Sequence, residues 1–108
     1  MATPLFVPIV EEGIFNGELL NITLNHYFKD ISKEFDGIIL GCTHFPLIKT
    51  QISNYFLNKP KLIHSGDAIV EHLLKNYQIK VQNLKTTIKF FASSNPEGVK
   101  KMAKKWLF

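Results

Sequence analysis

Cysteine is scarce in this sequence. Of 108 residues only Cys42 carries a thiol, so no disulfide can form within the chain, and no cysteine–histidine spacing suggests zinc or another metal. Long hydrophobic runs are missing as well: no apolar stretch approaches the length that crosses a bilayer, and the first residues hold no basic segment followed by an apolar one. The expectation is a cytoplasmic protein with no membrane contact. There is no internal repeat and no low-complexity segment. Acidic charge is the scarcer sign, which leaves a formal net charge of +4 and a pI near 9.2. The one dense basic cluster, Lys100-Lys101 with Lys104-Lys105, falls late in a helical pattern, where cations favour the macrodipole. No aromatic platform or nucleic-acid motif accompanies it, so a solvated helix face is preferred to a phosphate-binding patch and no nucleic-acid partner is expected.

What is present suffices for one modest domain with its own core. At 45% hydrophobic and 20% charged residues, the composition lies outside the disordered regime. The most informative stretch is Gly37-Ile38-Ile39-Leu40-Gly41-Cys42-Thr43-His44-Phe45-Pro46. A short apolar run with two β-branched residues ends at a glycine, the thiol follows, then a hydroxyl and an imidazole, with Pro46 placed to open a helix. This spacing puts Cys42 at the carboxyl end of a strand, where open α/β sheets bind ligands and the next helix offers free N–H groups. Cys42 is thus a candidate for a thiolate that moves protons, and His44 for its partner. A free cysteine can equally be an inert core residue, and an imidazole can be satisfied by backbone alone.

Along the rest of the chain, Leu5 to Val10 is a short apolar segment that Pro8 demotes to an irregular or edge strand. Leu19, Leu20, Ile22, Tyr27, Phe28 and Ile31 recur at near-helical intervals, with Asn16 as the cap. After the cysteine strand, Pro46 opens a helix whose apolar face is Ile48, Ile52, Tyr55 and Phe56, and Asn58 to Pro60 ends it. Lys61 to His64 reads as a brief strand, followed by Ser65-Gly66-Asp67, with Ser65 and Asp67 capping a helix that carries Val70, Leu73, Leu74 and Tyr77 on one face. Lys80 to Thr86 reads as a linker or loop, and Thr87 to Ala92 has the β-branched and aromatic content of another strand. Ser94-Asn95-Pro96-Glu97 starts a last helix, whose buried face is Val99, Met102, Ala103, Trp106 and Leu107. Strand and helix alternate about four times, which predicts an α/β fold with a mostly parallel sheet.

Gly41-Cys42-Thr43-His44-Phe45-Pro46-Leu47 resembles the second catalytic-cysteine motif of glutamate racemases, within the aspartate/glutamate racemase superfamily. The motif is highly specific, and His44 favours glutamate because aspartate racemases usually carry a glutamate residue at that place. Leu5-Phe6-Val7-Pro8-Ile9-Val10-Glu11-Glu12-Gly13 looks like the family's segment bearing a supporting carboxylate, and Leu62-Ile63-His64-Ser65-Gly66-Asp67-Ala68 looks like its later strand-to-helix turn. Phe91-Ala92-Ser93 and the helix with Trp106 also fit, so the resemblance covers nearly the whole chain and is nearest to racemases of the Campylobacter and Helicobacter type. The resemblance implies a two-domain α/β enzyme, with residues 1–66 belonging to its second domain and residues 67–108 completing the first. It also implies no cofactor, and a role in supplying D-glutamate for peptidoglycan.

The family's amino-terminal half, with an Asp-Ser motif, an Asn-Thr pair and the first catalytic cysteine, is not in this sequence. Met1 falls where the family's longer chains are mid-sequence, so a truncated carboxy-terminal part, inactive alone and needing its other half as partner, is expected. By resemblance, Cys42 is one of two acid/base groups acting on glutamate, and it serves the face from which the L isomer loses its proton. Thr43 would donate hydrogen bonds to a substrate carboxylate, His44 would hold the ligand and assist proton traffic at Cys42, and Glu11 would orient His44. Glu11 can also be read as a solvated carboxylate on a loop, and Glu12 is the alternative partner, although the family's Val-Pro-x-x-Glu pattern falls on Glu11. His26, His64 and His72 are read as structural. The other functional class that stays open is a non-catalytic binding or self-associating module, a homodimer included. In one form of such a dimer two Cys42 thiols would flank a single glutamate.

Overall fold

The chain enters its first helix early, at Phe6. The computed structural model describes residues 1–78 and 87–107. Its elements are α1 (Phe6–Glu11), α2 (Glu18–Phe28), β1 (Gly37–Ile39), a single 3-10 turn (Phe45–Ile48), α3 (Lys49–Tyr55), β2 (Lys61–Ile63), α4 (Ser65–Asn76) and α5 (Pro96–Leu107).

The segment expected as an irregular or edge strand is instead α1. Pro8 is its third residue, where the missing N–H would have had no acceptor inside the helix, so it does not break the turn. Phe6 and Val10 then fall on one face and are buried. A six-residue apolar run is ambiguous between the two periods, and here packing against α2 decides it. Tyr27 on α2 accepts the Leu5 N–H at 3.0 Å through its hydroxyl, and its ring meets Phe6 edge-on, with centroids 5.3 Å apart.

The helix α2 begins at Glu18 with Gly17 as its cap residue, at φ 98°, and no side chain caps it. Asn16 is therefore not the cap that its type suggested: the turn into α2 needs a positive φ, which glycine adopts without cost. Leu20, Leu24 and Phe28 face the core, whereas Leu19 and Ile22 point outward.

The strands β1 and β2 pair in parallel, with Gly37 opposite Lys61, Ile38 opposite Leu62 and Ile39 opposite Ile63. Parallel neighbours need a crossover, and the 3-10 turn with α3 supplies it. Two flanking hydrogen bonds extend the ladder, Leu40 N–H to the Ile63 carbonyl at 2.8 Å and Lys61 N–H to the Asp36 carbonyl at 3.0 Å. The core joins Phe6 and Val10 of α1, Leu20, Leu24 and Phe28 of α2, Leu40 after β1, and Ile48, Ile52 and Phe56 around α3. Only one face of the strand pair packs on this core: Ile38 and Leu62 are half-buried, while Ile39 is 77% exposed and Ile63 is exposed beside it.

The fold is thus α/β with a parallel sheet, but the sheet has two strands among the described residues. Thr87 to Ala92 forms no strand, and Phe91 is 88% exposed. Strand propensity is expressed only where a neighbouring strand takes up the backbone groups, and among the described residues none stands beside this segment. The presumed linker Lys80 to Thr86 lies outside the described residues. Neither Ser65 nor Asp67 caps α4, which has no side-chain cap. The face of α4 that periodicity assigned to a core is open: Val70, Leu73, Leu74 and Tyr77 are all exposed. In α5, Asn95 does cap, its Oδ1 accepting the Gly98 N–H at 3.1 Å. Ala103 is buried there and Met102 is half-buried, while Val99, Trp106 and Leu107 remain exposed.

Candidate active site

Two anchors hold the loop after β1. On one side Leu40 is buried and tied to β2 through its N–H. On the other, Phe45 meets Phe6 edge-on, with ring centroids 5.8 Å apart, and Ile48 is fully buried. Between them Gly41, Cys42, Thr43 and His44 leave the sheet. The Cys42 carbonyl accepts the Phe45 N–H at 3.2 Å and the His44 carbonyl accepts the Leu47 N–H at 3.1 Å. These bonds wind the chain directly into the 3-10 turn, in whose first positions Pro46 sits. An early proline gives up no hydrogen bond there.

The winding brings three side chains into a line. The Cys42 Sγ is 3.6 Å from His44 Nδ1, and His44 Nε2 is 3.3 Å from Glu11 Oε1. Glu11 reaches the ring because it is the last residue of α1, whose buried face fixes the helix beside the 3-10 turn. When Nε2 carries the ring hydrogen it faces a carboxylate, which only accepts, and Nδ1 is then left to accept from the thiol. In that tautomer the imidazole can take a proton at Nδ1 while the carboxylate supports the charge at the other nitrogen. The exposures are graded along the line. Cys42 is half-buried, the His44 side chain is 23% exposed, and that of Glu11 is 61% exposed.

Thr43 is exposed beside Cys42, free of protein hydrogen bonds through its hydroxyl among the described residues. Cys42 stands outside the buried core cluster. Glu11 sits on a helix and not on a loop, while Glu12, one residue further, makes no ion pair among the described residues. No group of three histidine, cysteine or carboxylate side chains is placed to hold a metal among the described residues.

The other histidines lie elsewhere. His26 stacks edge-on against Tyr27, and His72 pairs with Asn76 along α4 at 3.2 Å. His64 Nε2 lies 2.8 Å from Asp67 Oδ2, an ion-pair distance outside hydrogen-bond geometry. That contact takes the carboxylate expected to cap α4. One neighbour of the site was not singled out by sequence reasoning: the indole of Trp106, on the last turn of α5, meets the His44 ring edge-on, with centroids 6.4 Å apart and planes at 73°. The two residues are far apart in the chain, and no local pattern links them.

No family model matches the chain. Individual relatives do. The glutamate racemase of Nitratiruptor sp. is 58% identical over 106 residues, which is 98% of this chain and 41% of that protein. That of Campylobacter jejuni is 52% identical over 107 residues, 99% of this chain and 42% of that protein, and that of Helicobacter pylori is 45% identical over 114 residues, with 99% and 45% covered. Among solved structures, the Campylobacter jejuni glutamate racemase superposes with a TM-score of 0.86, covering 99% of this chain and 42% of that one. The Thermus thermophilus glutamate racemase in complex with β-chloro-D-alanine gives a TM-score of 0.72 at 28% identity, covering 96% and 41%. The chain therefore spans about two-fifths of the length of the curated relatives it matches.

Proposed function

Related over nearly its whole length to a carboxy-terminal portion of glutamate racemases, this chain is, we propose, the part of such an enzyme that supplies one of its two proton-transfer groups, Cys42. Racemisation takes a weakly acidic Cα proton from one face of glutamate and returns one to the other, so it needs acid/base groups on both sides of a planar carbanion-like species. The chain has one thiol. The second base must come from the rest of the enzyme, and the isolated chain is inactive in this reading.

The observation that carries the proposal is the line Cys42–His44–Glu11 at the carboxyl end of β1. Cys42 as thiolate takes the Cα proton of L-glutamate, and as thiol it returns one when the D isomer is converted. His44 holds the thiol proton within reach and helps to seat the ligand, and Glu11 keeps the imidazole in the tautomer that can do so. Thr43, exposed next to the thiol, donates from its hydroxyl or backbone N–H to a substrate carboxylate. Charge that develops at Cα is met by hydrogen bonds fixed in advance, from which water is shut out once the rest of the enzyme closes over the site. Residues 1–66 then belong to the domain that carries Cys42, and residues 67–108 to the domain completed by the other part. The reaction needs no added cofactor in this scheme, and D-glutamate for peptidoglycan is its product.

The test is a chimera in which this chain replaces the matching portion of the Campylobacter jejuni racemase, to which it is 52% identical. Interconversion of L- and D-glutamate by the chimera, and its loss in Cys42→Ser, supports the proposal. A folded chimera without activity, or activity that survives Cys42→Ser, contradicts it.

A second reading, a self-associating module without catalysis, is favoured by one observation: α4 buries none of its residues. Sedimentation over a range of concentrations decides it, because a strictly monomeric, folded chain would remove that reading.

A further inference from the structure

The imidazole of His44 is bounded on three sides, and the third boundary comes from α5. The Glu11 carboxylate that meets Nε2 is mostly exposed, and an ion pair in such a setting is weak. The thiol at Nδ1 is a poor hydrogen-bond partner. Neither contact by itself holds the ring against rotation about its side-chain bonds. The indole of Trp106 adds an edge-on aromatic contact to the same ring, of the kind that has a preferred geometry.

A second contact shows that the last turn of α5 is seated on this region and does not merely pass it. Gly13 closes α1 at φ 77°, its N–H donating to the Val10 carbonyl at 2.9 Å. A Cβ at that position would lie 2.9 Å from Lys105 Nζ and 3.7 Å from Lys105 Cδ. Lys105 therefore lies over the bare backbone just beyond Glu11, while its neighbour Trp106 meets His44. Adjacent residues of one helix thus meet the His44 ring and the backbone at Gly13, two residues beyond Glu11.

We infer that Trp106 is a positioning residue for His44: the carboxy-terminal helix holds the imidazole between Cys42 and Glu11 by packing the indole against it. Trp106 touches no reacting atom and acts only through the ring. The catalytic consequence rests on the reading of Cys42 and His44 proposed above; the contact itself does not.

Two measurements test this separately. In the folded chain, nuclear Overhauser effects join the His44 ring to the Trp106 indole and to the Cys42 β-protons, and in Trp106→Ala the effect to Cys42 is lost with helix content preserved. Absence of an effect between His44 and Trp106 in the parent chain, or an undiminished effect between His44 and Cys42 in Trp106→Ala, overturns the inference.

In the chimera, Trp106→Ala lowers kcat about tenfold with KM within about twofold, because a displaced proton-transfer group slows chemistry more than binding. Trp106→Phe keeps the aromatic edge and restores kcat to within about twofold of the parent. A kcat unchanged in Trp106→Ala, or a phenylalanine variant as slow as the alanine one, contradicts the positioning role. A parent chimera without activity counts against the proposed function alone, and the Overhauser measurement then decides the inference.

Discussion

The thiol of Cys42 and Nδ1 of His44 face each other at 3.6 Å across a single intervening residue, and the opposite nitrogen of the same ring is the one that meets Glu11. Sequence neighbours separated by two positions do not ordinarily point at one another in regular structure. They do here because the chain leaves β1 at Gly41 and enters a 3-10 turn at Phe45, so the three residues between form one tight bend. The bend is held by buried residues at both ends, Leu40 and Ile48.

Loss of the imidazole should therefore be felt more than loss of the carboxylate. In the chimera, His44→Gln lowers kcat by about a hundredfold, the lower end of what a positioned acid/base group contributes. Glu11→Gln, which acts only through the ring, lowers it by about tenfold. Steady-state kinetics with both glutamate isomers checks the order, and a Glu11 variant slower than the His44 variant contradicts it.

Stability resides in the cluster shared by α1, α2 and α3, and not in α4. Leu24→Ala removes a buried side chain and costs about 2–5 kcal/mol. Leu74→Ala, on the open face of α4, stays within about 0.5 kcal/mol of the parent chain. Urea unfolding of the two variants reads the contrast directly.

The open face of α4 also predicts the behaviour of the chain in solution. Val70, Leu73 and Leu74 form a contiguous exposed apolar stripe on one helix, a surface that soluble monomers rarely leave bare. The double variant Val70→Glu, Leu74→Glu should sediment as a smaller species than the parent at equal concentration, with helix content unchanged. Identical sedimentation would show that association, if present, uses another face.

The start of α5 hangs on one side chain. Asn95→Ala removes the acceptor for the Gly98 N–H and costs about 1 kcal/mol of helix stability. Amide exchange should quicken in Gly98 to Lys101 while amides of α2 are unaffected, because α5 adds no residue to the shared core cluster.

How much of this could be read from residues alone depended on whether the deciding contact was local. The strand into Gly41, the thiol at its end, the turn opened by Pro46 and the Asn95 cap all follow from short patterns with a mechanical cause. The face of α3 was legible because Ile48, Ile52 and Phe56 keep one helical period and all meet the core. The segment with Phe6 and Val10 was not, since six apolar residues fit either period and packing against Tyr27 and Phe28 chose the helix. Thr87 to Ala92 has strand-forming side chains with no strand beside it among the described residues, and propensity cannot report a missing neighbour. The same holds for α4, whose amphipathic pattern marks a face that is meant to be covered but cannot say by what. At the site, the spacing brought Cys42 and His44 together, and the resemblance suggested Glu11. The Trp106 contact is long-range and left no trace in spacing.

The most direct measurement is deuterium exchange at Cα of L-glutamate and of D-glutamate, followed by NMR in deuterated water with the chimera and its Cys42→Ser variant. If Cys42 is the group that takes the proton of the L isomer, the parent exchanges both isomers and the variant no longer exchanges L-glutamate. Undiminished exchange of L-glutamate by the Cys42→Ser variant would contradict the assignment of Cys42 and, with it, the proposed chemistry.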